Sequence, residues 1–148
     1  MNKNVSVVIV TKDRKKNLTE CLDSYMASSY KNLEIIVVDD ASKPPVLTWL
    51  PKKYKKIKLI TSDINLGAAE GRNRGLEEAS GDYILFTDDD AIAGKEMVGV
   101  LVSIFEKNKE AGIVQPLVYD RKEKNVLQGA GHDINLLTGR IKAWGVRE

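Results

Sequence analysis

The sequence predicts an α/β fold, a mostly parallel sheet with flanking helices, on three observations. Short runs rich in β-branched residues alternate with segments of helical periodicity. The first two runs, Val5 to Val10 and Leu33 to Val38, have the composition of strands covered on both faces. Polar and acidic residues then gather just beyond the runs: Thr11 and Asp13, Asp39 and Asp40, and Asp88, Asp89 and Asp90. In open parallel sheets, ligands bind outside the carboxyl ends of the strands, near the point where strand order reverses. The pattern therefore predicts an acidic pocket along one edge of the sheet.

Each element follows in order. After the first strand, Leu18, Cys21, Leu22, Tyr25 and Met26 recur at helical spacing, predicting an amphipathic helix over about residues 14–28. The second strand ends at Asp39-Asp40, and Pro44-Pro45 and Pro51 frame a short helical piece around Val46, Leu47, Trp49 and Leu50. Ile57, Leu59 and Ile60 mark a short third strand, and a helix is expected from about Leu66 to Ala79. The apolar run Tyr83 to Thr87 gives a further strand, and Val98, Leu101, Val102 and Phe105 define a helix over about residues 95–107. Ile113 to Tyr119 reads as one more strand. Crossovers between parallel strands should be right-handed.

Length and composition predict a single domain over residues 1–148. Within it, residues 1–119 form the α/β core. Residues 120–148, with Gly129, Gly131, Gly139 and Gly145, form a segment of loops and short strands or a hairpin. With 23 Lys and Arg against 21 Asp and Glu, the net charge of +2 gives no field that argues for nucleic acid. The single cysteine, Cys21, excludes an internal disulfide and suits a reducing compartment. No apolar run approaches a membrane span, and the N-terminus lacks a signal-peptide core. A cytoplasmic location is expected, with the inner face of the membrane as its variant. The cluster Lys52-Lys53-Tyr54-Lys55-Lys56 reads as a solvated surface, or as a contact for anionic lipid.

The aspartate triplet carries most of the chemistry. Neighbouring like charges repel by about 1 kcal/mol per pair in water and more when partly buried. Such a cluster persists when it is solvated or neutralised by a cation. Hard oxygen donors in a row suit Mg²⁺ or Mn²⁺, which bind one or two carboxylates together with substrate phosphates. The other reading is a solvated acidic loop.

The third helix opens Asn65-Leu66-Gly67-Ala68-Ala69-Glu70-Gly71-Arg72-Asn73-Arg74-Gly75, so Gly67, Gly71 and Gly75 share a face. Interior glycine costs about 1 kcal/mol relative to alanine. Close packing on the sheet explains Gly75, whereas Gly67 and Gly71 could leave room for a bulky ligand. Arg72 and Arg74 are candidates for diphosphate contacts. Neither a G-x-G-x-x-G turn after a strand nor a Walker motif is present.

Four segments together resemble glycosyltransferase family 2. They are Val5 to Thr11, Glu34 to Ser42, Asn65 through Gly75, and Gly81 to Asp90, in matching order and spacing over roughly residues 4–118. The resemblance implies the GT-A fold, the Rossmann-like nucleotide-diphospho-sugar transferase fold. It also implies transfer of a sugar from a nucleotide-diphosphate donor to an acceptor hydroxyl, with a divalent metal and inversion. By position, Thr11 would line the nucleotide site with Asp13 nearby, beside Gly67. Asp40 would read the base, and Arg72 would lie near the diphosphate. Asp90, with Asp88, would hold the Mg²⁺ or Mn²⁺, while Asp88 or Asp89 faces the ribose or sugar. The acceptor would be a saccharide or lipid-linked, as in cell-surface polysaccharide biosynthesis.

The general base expected downstream is missing from the pattern, so no catalytic residue is assigned. The acids after Glu110 are Asp120 and Glu123 in a charged turn, Asp133 beside His132 in an expected loop, and Glu148. The stretch Gly129-Ala130-Gly131 through Thr138-Gly139-Arg140 resembles the one preceding the acceptor half in rhamnosyltransferase-like members. The chain is thus expected to be the donor-binding half of a longer enzyme. A non-catalytic nucleotide-sugar-binding fragment is the alternative. A sugar-nucleotide pyrophosphorylase would want a glycine-rich loop after the first strand, where Thr11 to Lys16 has none. A phosphoreceiver domain would place its acidic pair after the first strand, not the second.

Overall fold

The computed structural model describes residues 3–54, 56–123, 126–135 and 137–144. Lys55, Gly145 and Glu148, named above, lie outside the described residues. The chain forms two compact units, residues 1–102 and 103–148.

The first unit is built on a parallel sheet. Its strands are β1 (Val5–Thr11), β2 (Leu33–Asp40), β3 (Lys58–Ser62) and β4 (Tyr83–Asp88), in the order β3-β2-β1-β4. Helices α1 (Lys15–Met26), α2 (Val46–Trp49) and α3 (Gly67–Glu77) fall between successive strands, and α4 (Met97–Lys107) follows β4. Each lies within a few residues of the position its apolar spacing predicts.

Strand alternation divides the sheet's residues between two layers. Val5, Val7, Ile9, Ile35 and Val37 face one side and form the main core with Leu18, Cys21, Leu22 and Tyr25 of α1, Val46 of α2 and Val98 of α4. Val8, Val10 and Val38 face the other side, where α3 packs. Both faces are therefore covered, which explains the unbroken apolar character of β1 and β2.

The glycines of α3 make this second layer possible, and here one expectation changes. A Cβ on Gly75 would lie 2.3 Å from Val8 Cγ1, and one on Gly71 would lie 2.8 Å from Val10 Cγ1. Gly71 thus belongs to the packing on the sheet and offers no open face to a ligand. Gly75→Ala is expected to destabilise the protein despite the better helix propensity of alanine. Overpacking against a stiff, buried valine costs about 1–3 kcal/mol, against about 1 kcal/mol gained from propensity. A urea midpoint equal to or above that of the parent would contradict this packing.

At the amino ends of the strands, a polar knot fixes the sheet. Ser6 Oγ donates to Glu34 and accepts from Gly81 N at 2.8 Å. Glu34 also accepts from Ser80 N at 2.9 Å and Ser80 Oγ at 3.1 Å. Partial burial pushes the Glu34 carboxyl up, but these hydrogen bonds together outweigh it and hold its pKa below the ordinary value.

The second unit contains two antiparallel pairs: β5 (Val118–Tyr119) with β6 (Leu127–Gly129), and β7 (Gly131–Ile134) with β8 (Ile141–Trp144). Two expectations are corrected here. The strand predicted from Ile113 to Tyr119 shrinks to its last two residues; Pro116, just before them, has no N–H to give to a ladder. His132 and Asp133, expected in a loop, lie in β7, paired with Ala143 and Lys142. Among the described residues, no helix is long and apolar enough to cross a membrane.

Candidate functional site

Parallel register brings the strand ends together. Thr11 aligns with Asp39, and Val10 aligns with Asp88. Sheet order reverses at β1, with β2 and β3 on one side and β4 on the other. A cleft of about 420 Å³ opens at this switch point, between the carboxyl ends of the strands and the start of α3. Thr11, Lys12 and Arg14 border it from β1 and the following loop, and Asp40 borders it from β2. Arg72 borders it from α3, and Asp88, Asp89 and Asp90 from the end of β4. Three cationic side chains thus meet four carboxylates around one opening.

The two aspartates that end β2 point to opposite faces, as strand alternation requires. Asp39 is buried and accepts from Ser42 N at 3.0 Å and Val46 N at 2.7 Å, tying the loop to the start of α2. Asp40 turns toward α3. Its oxygens accept from Leu66 N and, at 3.2 Å, from Gly67 N, satisfying donors at the helix start. Two of the roughly four lone-pair sites of that carboxylate are used in this way.

The triplet is held residue by residue. Asp89 has a side chain only 5% exposed and accepts from Thr11 Oγ1 at 2.6 Å and Arg14 Nη1 at 3.1 Å. The same Arg14 nitrogen donates to Asp90 Oδ2, also at 3.1 Å. Arg72 Nη2 donates to Asp88 Oδ1 at 2.7 Å. These arginines act as internal counter-ions for a charge cluster that water alone would not neutralise at a partly buried site. The Arg14 guanidinium pKa is raised, first by its hydrogen bond to Asp89 and then by the charges of Asp89 and Asp90. Behind the triplet, Cys21 is fully buried and its thiol lies 3.6 Å from the Asp88 carbonyl. Burial, and then the negative field of Asp89, Asp90 and Asp88, pushes that thiol up to about 12.

The structure therefore gathers Thr11, Asp40, Asp88, Asp89 and Asp90 around one cleft, as the strand-end pattern expects, and adds Arg72 from α3. Asp13 stands just outside. It adopts φ 58°, accepts from Lys43 N at 2.6 Å and donates its own N–H to Ser42 Oγ at 3.0 Å. Those bonds clasp the loop after β1 to the loop after β2. Gly67, with φ 77°, opens α3 beside Asp40 and is not among the residues lining the cleft. Arg74 differs from expectation: it donates to Glu70 at 3.3 Å along the surface of α3 and does not line the cleft. Lys12 and Arg14 line the cleft without being expected there, since both sit in the charged run Lys12 to Lys16. Of the downstream acids, Asp120 is bound to the N–H groups of Glu123 and Lys122 and to Gln128, which lowers its pKa and makes it a turn-forming residue.

The geometry has close counterparts. The family model for glycosyl transferase family 2 matches residues 6–144. The glycosyltransferase GlyG of Streptococcus pneumoniae is 29% identical over 129 residues, covering 84% of this chain and 43% of that protein. The amylovoran biosynthesis glycosyltransferase AmsB of Erwinia amylovora is 31% identical over 128 residues, covering 83% of this chain and 42% of its own. The chain thus spans less than half the length of these relatives. Among solved structures, S. aureus TarS 1-349 in complex with UDP-GlcNAc superposes at a TM-score of 0.62 and 25% identity, over 79% of this chain and 38% of that one. The mannosyltransferase PcManGT of Pyrobaculum calidifontis, solved with GDP-Man and Mn²⁺, shares the fold at a TM-score of 0.63 and 24% identity, over 71% of this chain and 33% of that one. The family model, matched over nearly the whole chain, shows that this chain belongs to glycosyl transferase family 2, and its largely parallel sheet with flanking helices has the GT-A fold.

Proposed function

We propose that this chain carries the donor site of a glycosyltransferase, binding a nucleotide-diphosphate sugar in the cleft for transfer to an acceptor hydroxyl. The observation that carries the reading is the meeting of four carboxylates and three cations at the switch point of a parallel sheet. A purely anionic cleft would repel a diphosphate, and a purely cationic one would not retain a divalent ion. The mixture suits both together. The TarS structure, determined in complex with UDP-GlcNAc on a similar fold, supports a nucleotide-sugar partner.

Roles follow from position. Asp40 has lone pairs left to accept from a ring N–H of the base, and Thr11 closes the floor between β1 and the triplet. Arg72 can exchange its partner Asp88 for a phosphate oxygen, since both side chains are substantially exposed. Asp88, or Asp89 from its buried seat, lies on the ribose and sugar side. The donor set fits Mg²⁺ or Mn²⁺. Asp88 and Asp90 offer hard oxygens at the mouth, with side chains 72% and 49% exposed, and each gives one oxygen to an arginine. Among the described residues, no three acidic, His or Cys side chains form a ready-made metal cage. An ion at this site would need phosphate or water oxygens to complete its coordination. When bound, such an ion offsets the charge that builds on the leaving nucleoside diphosphate. In the transfer, the bond from the anomeric carbon to the phosphate oxygen breaks and the bond to the acceptor oxygen forms, inverting that carbon. The acceptor's proton passes to a base that we do not assign to this chain.

The acceptor is a saccharide or lipid-linked saccharide of cell-surface polysaccharide synthesis, a reading that the AmsB likeness supports. The place of action would be the cytoplasm or the inner face of the membrane.

A thermal-shift screen tests the donor site. A nucleoside diphosphate at about a hundred times its dissociation constant adds about 2.7 kcal/mol to stability. For a domain of this size that raises Tm by about 5–10 °C. The shift is expected with Mn²⁺ and should largely vanish with chelator. A flat screen across uridine and guanosine diphosphates and their sugars, with and without Mn²⁺, would reject the reading. Binding without donor turnover would instead select the alternative, a nucleotide-sugar-binding module, which the turn-forming bonds of Asp120 favour.

A further inference from the structure

We propose that Arg14 is an electrostatic latch, holding Asp90 away from a divalent cation until a diphosphate draws the guanidinium off. The inference rests on the reading of the cleft as a metal-assisted nucleotide-diphosphate site and assigns a coupling role to a residue outside the expected set.

The geometry points to Arg14 because its two partners differ. Asp89 is a fixed anchor, buried, with its other oxygen taken by Thr11 Oγ1 at 2.6 Å. Asp90 is about half exposed, as is Arg14 itself at 55%. One guanidinium nitrogen, 3.1 Å from each, therefore spans an immobile carboxylate and a movable one. The Arg72–Asp88 pair lacks such an anchor, since its side chains are 40% and 72% exposed. It is an ordinary solvated ion pair.

A guanidinium and a divalent ion seek the same oxygens of Asp90. A dication about 5 Å from Arg14 is disfavoured by about tenfold even at the dielectric constant of water. A diphosphate reverses this, because it offers the guanidinium a doubly hydrogen-bonded anionic partner. Arg14 then leaves Asp90 Oδ2 while the buried Asp89 keeps the side chain near the cleft. Cation and diphosphate consequently bind with positive coupling, and the coupling is reciprocal. The protein's affinity for the metal is therefore held about tenfold lower until a donor is present.

The test compares the parent with Arg14→Gln by titrating Mn²⁺, with calorimetry or the loss of the free-ion electron paramagnetic signal, first without nucleotide. Arg14→Gln is expected to bind Mn²⁺ about tenfold more tightly. The gain in Mn²⁺ affinity on adding uridine diphosphate should shrink by a similar factor. Arg14→Lys keeps the charge and should stay within about threefold of the parent, which separates charge from a loss of fold. Equal or weaker Mn²⁺ binding by Arg14→Gln overturns the latch, as does the absence of Mn²⁺ binding by both proteins. A tenfold tightening with no nucleoside diphosphate bound by either protein supports the hold on Asp90 and overturns the nucleotide reading.

Discussion

Asp40→Ala is expected to lower the unfolding free energy by about 2–4 kcal/mol and to weaken nucleoside binding by about tenfold even without metal. The first effect follows from two hydrogen bonds. Asp40 is 4% exposed and accepts from Leu66 N and Gly67 N at the start of α3. Its charge also lies at the positive end of that helix dipole. Alanine removes both acceptors and leaves the N–H groups without their partner. The second effect follows from the remaining lone pairs of a carboxylate that lines the cleft. Asp40→Asn separates the two roles. Its single amide oxygen can keep one backbone bond, so stability should recover in part. The amide group offers a donor where a base N–H needs an acceptor, so binding should not recover. Urea titration and calorimetry with a nucleoside diphosphate in chelator measure the two effects. An unchanged midpoint would refute the capping role, and an unchanged affinity would remove Asp40 from base reading.

Much of this arrangement is legible in the sequence because the signals are local. Runs of β-branched residues, apolar residues at helical spacing and acids at strand ends each depend on a few neighbours. They place β1 to β4, α1 and α3, and they put Thr11, Asp40 and the triplet on one edge. What stays hidden depends on register across the sheet. Arg14 lies in the charged run Lys12 to Lys16, which carries no local signal of a site. Only the alignment of Val10 with Asp88 brings it within reach of Asp89 and Asp90. The shared face of Gly67, Gly71 and Gly75 follows from periodicity, but its direction does not. Val8 and Val10 show that this face meets the sheet. Similarly, alternation says that Asp39 and Asp40 point apart, without saying which one borders the cleft. The positions of Val46 and Leu66 decide it, and both come from later in the chain.

Asp90→Ala is expected to weaken Mn²⁺-dependent nucleoside diphosphate binding by at least a hundredfold, about 2.8 kcal/mol. The substitution should leave stability almost unchanged. Asp90 is about half exposed, and its pair with Arg14 is a surface ion pair of the kind worth about 0–1 kcal/mol. Loss of binding through misfolding is therefore not expected, and an unaltered melting curve checks this. The sign in the absence of metal distinguishes a metal ligand from a general binding residue. Removing one of four carboxylates leaves the three cations of the cleft in electrostatic balance with those that remain. It also frees the Asp90 half of Arg14 for phosphate. Binding in chelator should then hold steady or strengthen slightly, while binding with Mn²⁺ collapses. If Asp90 instead contacted the nucleotide directly, both affinities would fall together. If Asp90→Ala bound the nucleotide with Mn²⁺ as the parent does, the cation would have to sit elsewhere, with Asp88 as the remaining exposed carboxylate of the triplet. Calorimetry with and without Mn²⁺ reads all these outcomes from one pair of titrations.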